Sequence, residues 1–303
     1  MKRFFWLIQA AAFYLFTWLL AIVPERLVNT LGDKVGLLMR TVIRSRRRIA
    51  EQNISSTLEY MRSWPEWNCS ITAPEGIARQ VFRSMGRSLV EVCRFYHGRG
   101  DGIISRLEVR GREHFEEARA RGKGVIFLTG HCGNWEMMAL AYSHVFNSTM
   151  SVVARHQNNP YLHNMVEKMR GSYNNRVIYK DNAIRNIIGV LRKNGVVGML
   201  LDQSVLPEEG CLISFLGRKA WASKAPVVIA RKTGAAVVPA FIHREGDRHV
   251  CQIHPMLQFG DDPSDAGVVE DVQIYSRAIE KFIVEHPTDW YWVHRRWKRT
   301  EGL

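Results

Sequence analysis

His131 and Glu136 are the pair in this chain whose types and spacing fit general acid–base chemistry. An imidazole with a pKa near 6.5 can take a proton from a hydroxyl as it reacts, and a carboxylate held on one ring nitrogen fixes the tautomer and stabilises the imidazolium. Residues five apart on one continuous helix point about 140° apart, so the contact requires His131 to stand outside the helix while Glu136 reaches back from its first turn. None of the other histidines, of 11 in all, has an acid at this offset. Cys132 adjoins His131, but neighbours at i and i+1 do not face each other, which argues against a thiol nucleophile. The spacing alone is weak evidence, and the flanking sequence decides its weight.

Those flanks supply the turn. Val125 to Leu128 is an apolar run of β-formers, which predicts a strand buried on both faces. Asn134 is a good N-cap, and Trp135 to Phe146 is mostly apolar without proline or glycine, which predicts a helix. The intervening turn, Gly130 to Gly133, carries His131 to the C-terminal end of a strand, where open α/β sheets bind ligands. From residue 106 onward the alternation continues. Strands are expected at Leu107–Arg110, Ser151–Ala154, Val177–Tyr179, Val196–Leu201, Ala236–Ile242 and Val250–Ile253, and helices at Glu113–Arg121, Tyr161–Arg170, Ile184–Lys193 and Lys224–Lys232. This pattern predicts an α/β fold with a mixed, largely parallel sheet flanked by helices. His243, His249 and His254 flank a hairpin turn at Glu245–Arg248. Without carboxylate or cysteine partners at ligand spacing they read as strand histidines, and no metal site is expected.

Three hundred and three residues are enough to bury a sizeable core, and the net charge of +13 points to an anionic partner. Phe4 to Val23 carries no charge and is long enough to cross a hydrocarbon core of about 30 Å. It is long for a signal-peptide core, and no small-x-small site precedes Pro24, so a retained anchor is expected, spanning or lying in the interface. Lys2 and Arg3 precede it, and Arg26, Lys34, Arg40, Arg44, Arg46, Arg47 and Arg48 follow, which places the body of the protein in the cytoplasm by the positive-inside bias. Arg44 to Arg48 is either a basic helix surface or a rest for anionic headgroups. Basic residues interleaved with aromatics on a nucleic-acid-binding fold are not evident, so no nucleic acid is expected. The five cysteines, widely spaced, read as reduced thiols. The expected organisation is an anchor helix over residues 1–24, a helical membrane-proximal region over 25–100, and an α/β domain over 101–303.

Gly-His-x-Gly-Asn-Trp-Glu after a buried strand resembles the signature of the bacterial lipid A late acyltransferases, the lauroyl/myristoyl acyltransferase family, a branch of the His-x4-Asp/Glu lysophospholipid acyltransferases. The resemblance runs from the N-terminal apolar helix to the tryptophan-rich C-terminus and implies a glycerolipid acyltransferase-like fold. Arg155-x3-Asn-Pro, with Arg170 ten residues on, is similar to the family's second block and implies active-site roles for both arginines. His163 stands where the family often has Asp. Leu201-Asp-Gln-Ser204 is similar to a third block. It implies that Asp202 belongs to the active site, paired with an arginine or with substrate, and Gln203 is placed with it as substrate-binding. Phe215 to Ser223 resembles a block lining the acyl and acceptor clefts, with Gly217 allowing close backbone approach and Arg218 supplying charge; a hairpin and a helix entry is the alternative. Trp290 to Arg299 resembles the closing motif. Its tryptophans and cations suit the boundary between apolar chains and headgroups, with core packing as the alternative.

Acyl transfer from a thioester to an alcohol needs a base, here His131, and a place for the tetrahedral oxyanion, which helix N-terminal amides near Gly133 and Asn134 or an arginine could supply. The thioester is already activated, so no cofactor is required. The resemblance implies acyl carrier protein as the donor and a lipid A precursor as the phosphorylated glycolipid acceptor, at the inner membrane. The alternatives are an acyl-CoA donor, another glycolipid such as a mannosylated phosphatidylinositol, or a membrane lipid-binding protein without catalysis.

Overall fold

The sheet is built outward from β2 (Val125–Thr129), whose five residues are all buried. The computed structural model describes residues 2–154, 156–179 and 183–300. The N-terminal part is helical: α1 (Lys2–Ala21), α2 (Val28–Val42), α3 (Arg44–Ser55), α4 (Leu58–Arg62), α5 (Pro74–Tyr96) and the short α6 (Asp101–Ile104). Then follow β1 (Glu108–Arg110), α7 (Arg112–Ala120), β2, α8 (Trp135–Phe146), β3 (Met150–Ala154), α9 (Pro160–Ser172), β4 (Arg176–Tyr179), α10 (Ala183–Leu191) and β5 (Val196–Leu200). The chain continues through β6 (Gly210–Phe215), β7 (Arg218–Ser223), α11 (Ala225–Thr233), β8 (Ala236–Glu245), β9 (Arg248–Ile253) and α12 (Asp265–Glu285).

Seven strands form one sheet in the order β1-β9-β8-β2-β5-β3-β4, parallel at every pairing except the β8–β9 hairpin. This is the mixed, largely parallel sheet that the alternation predicts. β6 and β7 form a separate hairpin. Period-two alternation divides the core: Val125 and Phe127 meet Phe115 of α7 and Tyr142 of α8, while Ile126 and Leu128 face the layer containing α10, α11 and α12. The latter core also includes Ile54 of α3 and Phe82 of α5, so the N-terminal helices and the sheet share apolar packing. α12 is a 21-residue helix that the sequence pattern did not announce.

α2 and α5 approach backbone to backbone. A Cβ on Gly86 would stand 2.1 Å from the Gly32 carbonyl oxygen, so no larger residue fits there. α1 lies against the other end of α5. Phe13 meets Tyr96 edge to face at 5.7 Å, Thr17 shares a 3.0 Å hydrogen bond with His97, and Arg94 donates to the Ala21 and Val23 carbonyls where α1 ends. Much of the rest of α1, including Phe4, Phe5, Leu15 and Trp18, is exposed and apolar, and the helix's length and composition suffice to cross a membrane.

Candidate active site

β2 and β5 are parallel neighbours in a register that pairs Thr129 with Leu200. Two residues beyond each lie His131 and Asp202. The parallel pairing therefore brings the two side chains together at the carboxyl edge of the sheet. His131 Nδ1 is 2.8 Å from Asp202 Oδ1, and the His131 backbone N–H donates to Asp202 Oδ2 at 3.0 Å. The Trp290 indole N–H donates to the same Oδ2 at 2.8 Å. Asp202 is buried, yet these donors and the imidazole charge hold its carboxyl well below the usual carboxylate range. As a carboxylate it can only accept, so Nδ1 carries the proton and Nε2 is left as the basic nitrogen. Burial alone would lower the His131 pKa. The charge and hydrogen bond of Asp202, with the charge of Glu136 adding, outweigh it and raise the pKa above 6.5.

This arrangement corrects two expectations. Glu136 does not hold the His131 ring; its carboxylate receives Arg170 Nη2 at 2.9 and 3.3 Å. Asp202, expected beside an arginine or substrate, takes the place at Nδ1. The reason is local. Asn134 caps α8 as expected, its side chain accepting from Met137 N–H at 3.1 Å, and the helix then directs Glu136 towards α9. The expected strand-to-helix turn forms, with Gly133 at a φ of +50°, where a Cβ would also meet the Ile242 carbonyl oxygen at 2.4 Å.

The turn is held from several sides. Gly133 N–H donates to the Asp289 carbonyl at 2.6 Å, Tyr291 N–H to the His131 carbonyl at 3.0 Å, and Cys132 bridges Trp290. The Gly133 amide is thus committed to the scaffold instead of facing an oxyanion. Cys132 is fully buried and its thiol is pushed well above the ordinary range by burial, which leaves it inert at neutral pH. Gln203 places its amide nitrogen 3.3 Å from both His131 ring nitrogens. A narrow and mostly apolar cavity runs under α8, and Trp135, whose ring meets that of His131 at 5.0 Å, is one of its lining residues. Trp135, Glu136 and Arg170 border it, and Phe127, Val152 and Leu200 are among its walls.

Comparison with known proteins gives the family. Residues 3–299 match the family described as bacterial lipid A biosynthesis acyltransferase. The chain belongs to this family. It is similar to a lipid A biosynthesis acyltransferase of Haemophilus influenzae, with 23% identity over 97% of this chain and 88% of the relative. A lipid A biosynthesis palmitoleoyltransferase of Escherichia coli is 23% identical over 93% of this chain and 88% of the relative. A phosphatidylinositol mannoside acyltransferase of Mycobacterium tuberculosis is 26% identical over 74% of this chain and 71% of the relative. The protein is an O-acyltransferase.

Within this lipid A acyltransferase family member, the remaining expected residues divide. Arg170 joins the His131 region through Glu136, whereas Arg155 lies outside the described residues. Gly217 and Arg218 sit apart from the apolar cavity, in the β6–β7 hairpin. Gly217 packs under the Tyr60 ring, and Arg218 donates to Ser56 Oγ at 2.8 Å and stacks 4.8 Å over Trp297. Arg218 instead borders a broad polar groove with Arg48, Arg295 and Lys298. The C-terminal tryptophans are core residues. Trp290, Trp292 and Trp297 are all buried, so the packing alternative holds for them, and the indole of Trp290 supports the acid–base pair directly. Nothing in residue spacing singles out Trp290 for that task.

Proposed function

We propose that this acyltransferase moves a fatty acyl chain from an acyl carrier protein thioester to a hydroxyl of a phosphorylated glycolipid, a lipid A precursor, with His131 as general base. The observation that carries this reading is the Asp202-held imidazole, with Nε2 as its basic nitrogen, packed on Trp135, which borders an apolar cavity. Nε2 takes the hydroxyl proton as the oxygen attacks the thioester carbonyl, Asp202 stabilises the imidazolium, and the proton then passes to the departing thiolate. Gln203, next to the ring, is a donor available to the oxyanion. Glu136 and Arg170, joined as an ion pair, guard the cavity and add their charges near the reacting centre.

The groove lined by Arg48, Arg218, Arg295 and Lys298, with Glu51 and Glu75 as its carboxylates, keeps an excess of positive charge and supports an anionic headgroup as acceptor. α1 and the cations that follow it support residence at the inner membrane with the catalytic face in the cytoplasm. The likeness to phosphatidylinositol mannoside acyltransferases favours a mannosylated phosphatidylinositol as the second acceptor to test, with acyl-CoA as the second donor.

Mass spectrometry of products tests the reading. Detergent-solubilised protein is incubated with a lipid A precursor and mixed acyl-carrier-protein thioesters, beside His131→Ala. One added acyl mass, reduced at least about 100-fold in the variant, is the expected result. Wild-type-like turnover by His131→Ala removes the base assignment, and product only with the mannolipid or with acyl-CoA redirects the substrate.

A further inference from the structure

Glu91 is a buried carboxylate on α5 that the proposed chemistry does not use. Three donors from three other elements converge on it. Asn134 Nδ2, at the N-cap of α8, is 2.8 Å from Oε2, and Arg244 Nη2 of β8 is 2.6 Å from Oε1. His249 Nε2 of β9 lies 3.1 and 3.0 Å from the two oxygens. Burial would raise the carboxyl pKa, but the His249 and Arg244 charges and hydrogen bonds hold it down at about 2, so the group is ionised at any working pH.

The contact with Asn134 has a directional consequence. An amide whose nitrogen faces a carboxylate must turn its oxygen the other way, and that oxygen accepts the Met137 N–H that starts α8. The orientation of the cap is therefore dictated from α5. Asn134 is three residues from His131, and the turn between them is pinned to residues 289–291.

We propose that Glu91 is a positioning residue for the active-site turn, acting through the Asn134 side chain to hold residues 131–136 in their reactive arrangement. The inference rests on the acyl-transfer reading only for its kinetic readout. An ordinary helix cap would be served as well by serine, which has comparable N-cap preference but is too short to keep the Glu91 contact. Asn134→Ser thus separates the two roles: it preserves capping and removes the link.

The test is a swap. In Glu91→Gln the new amide nitrogen takes the place of one oxygen and faces two of the three donors, His249 and either Asn134 or Arg244, so hydrogen bonding is lost and a donor–donor clash appears. In Asn134→Asp two carboxylates face each other. In the double variant Glu91→Gln/Asn134→Asp, the amide introduced on α5 donates to the carboxylate introduced at the cap. The oxygen of that amide, at the Oε1 position, still accepts from Arg244 and keeps one of the two His249 contacts, and the new carboxylate still caps α8.

The readouts are kcat and KM for both substrates, and hydrogen exchange of the segment 131–140. Expected are a fall in kcat of about tenfold or more in Glu91→Gln and Asn134→Ser with KM changed less than about threefold, and faster exchange in the segment. The swap is expected to restore most of both. Wild-type kcat and protection in Asn134→Ser, or a swap no better than the worse single variant, overturns the proposal. Should Glu91→Gln not fold, Asn134→Ser decides it. An inactive wild-type protein would overturn the acyl-transfer reading instead, leaving the exchange arm to judge Glu91.

Discussion

His131 Nδ1 and Asp202 Oδ1 are 2.8 Å apart although 71 positions separate the two residues in the chain. The in-register parallel pairing of β2 and β5 makes the contact, since each residue lies two beyond the Thr129–Leu200 pair. One consequence is a pH dependence. His131 must be neutral to accept a proton, and Asp202 raises its pKa above 6.5 against the opposing effect of burial. Activity is therefore expected to rise with pH through a midpoint above 6.5 and then level off. In Asp202→Asn the charge is gone and burial remains, so the midpoint should move down, while the plateau falls about 100-fold or more as the ring loses its orienter. A kcat/KM profile from pH 5 to 9 with an unmoved midpoint would contradict the pairing.

The Glu136–Arg170 ion pair is partly buried, at 2.9 Å, beside the apolar cavity. If the two act as a unit, each single substitution leaves the other charge without its partner, and the second adds little. Glu136→Gln and Arg170→Gln are each expected to lower kcat/KM about tenfold or more, with the double variant no worse than about threefold below the weaker single one. Additive losses in this double-mutant cycle would show independent roles. Glu136→Gln should also lower the pH midpoint, but by less than Asp202→Asn, because its charge acts on His131 without a hydrogen bond.

The strand and helix order of the α/β part is legible because each buried strand is an apolar run ended by a turn signal, and the Asn134 cap announces α8. What spacing cannot supply is strand order. Glu136 reads as the partner of His131 because it is near in sequence; Asp202 is near only once β5 is known to lie beside β2. Trp290 reads as an aromatic at a charged segment, a composition that fits a membrane boundary and a core equally well. Glu91 is invisible for a different reason. On an amphipathic helix a carboxylate is expected on the solvated face, and its burial depends on Arg244 and His249 arriving from a distant hairpin.

Trp290 offers a test of how far the support of Asp202 extends. Trp290→Phe removes the indole N–H from Oδ2 and trims a buried ring that packs against Phe215 and Trp292. A lost hydrogen bond to a charged, buried acceptor and some lost packing together should cost about 2–4 kcal/mol. Equilibrium denaturation in detergent should show a lower midpoint with an unchanged slope, and kcat should fall by about tenfold through the loosened carboxylate. Full activity with reduced stability would mean that the His131 backbone N–H alone suffices to fix Asp202.

The apolar helix α1 should matter beyond any membrane residence. Asn159 caps α9 by accepting from Tyr161 and Leu162 N–H, and its Nδ2 donates to the Trp6 carbonyl of α1 at 2.9 Å. α9 carries Arg170, so α1 touches the helix that supplies the partner of Glu136. α1 also covers apolar surface of α5 near Val90 and Cys93, where Leu20 is buried. Deleting residues 2–21 is thus expected to lower both thermal stability and kcat even when detergent replaces the bilayer, whereas a mere tether would leave both unchanged. Asn159→Ala gives a milder version, losing about 1 kcal/mol with the cap and loosening the link to α1. Differential scanning fluorimetry and turnover in the same micelles would measure both, and a truncated protein as stable and active as the full chain would reduce α1 to an anchor.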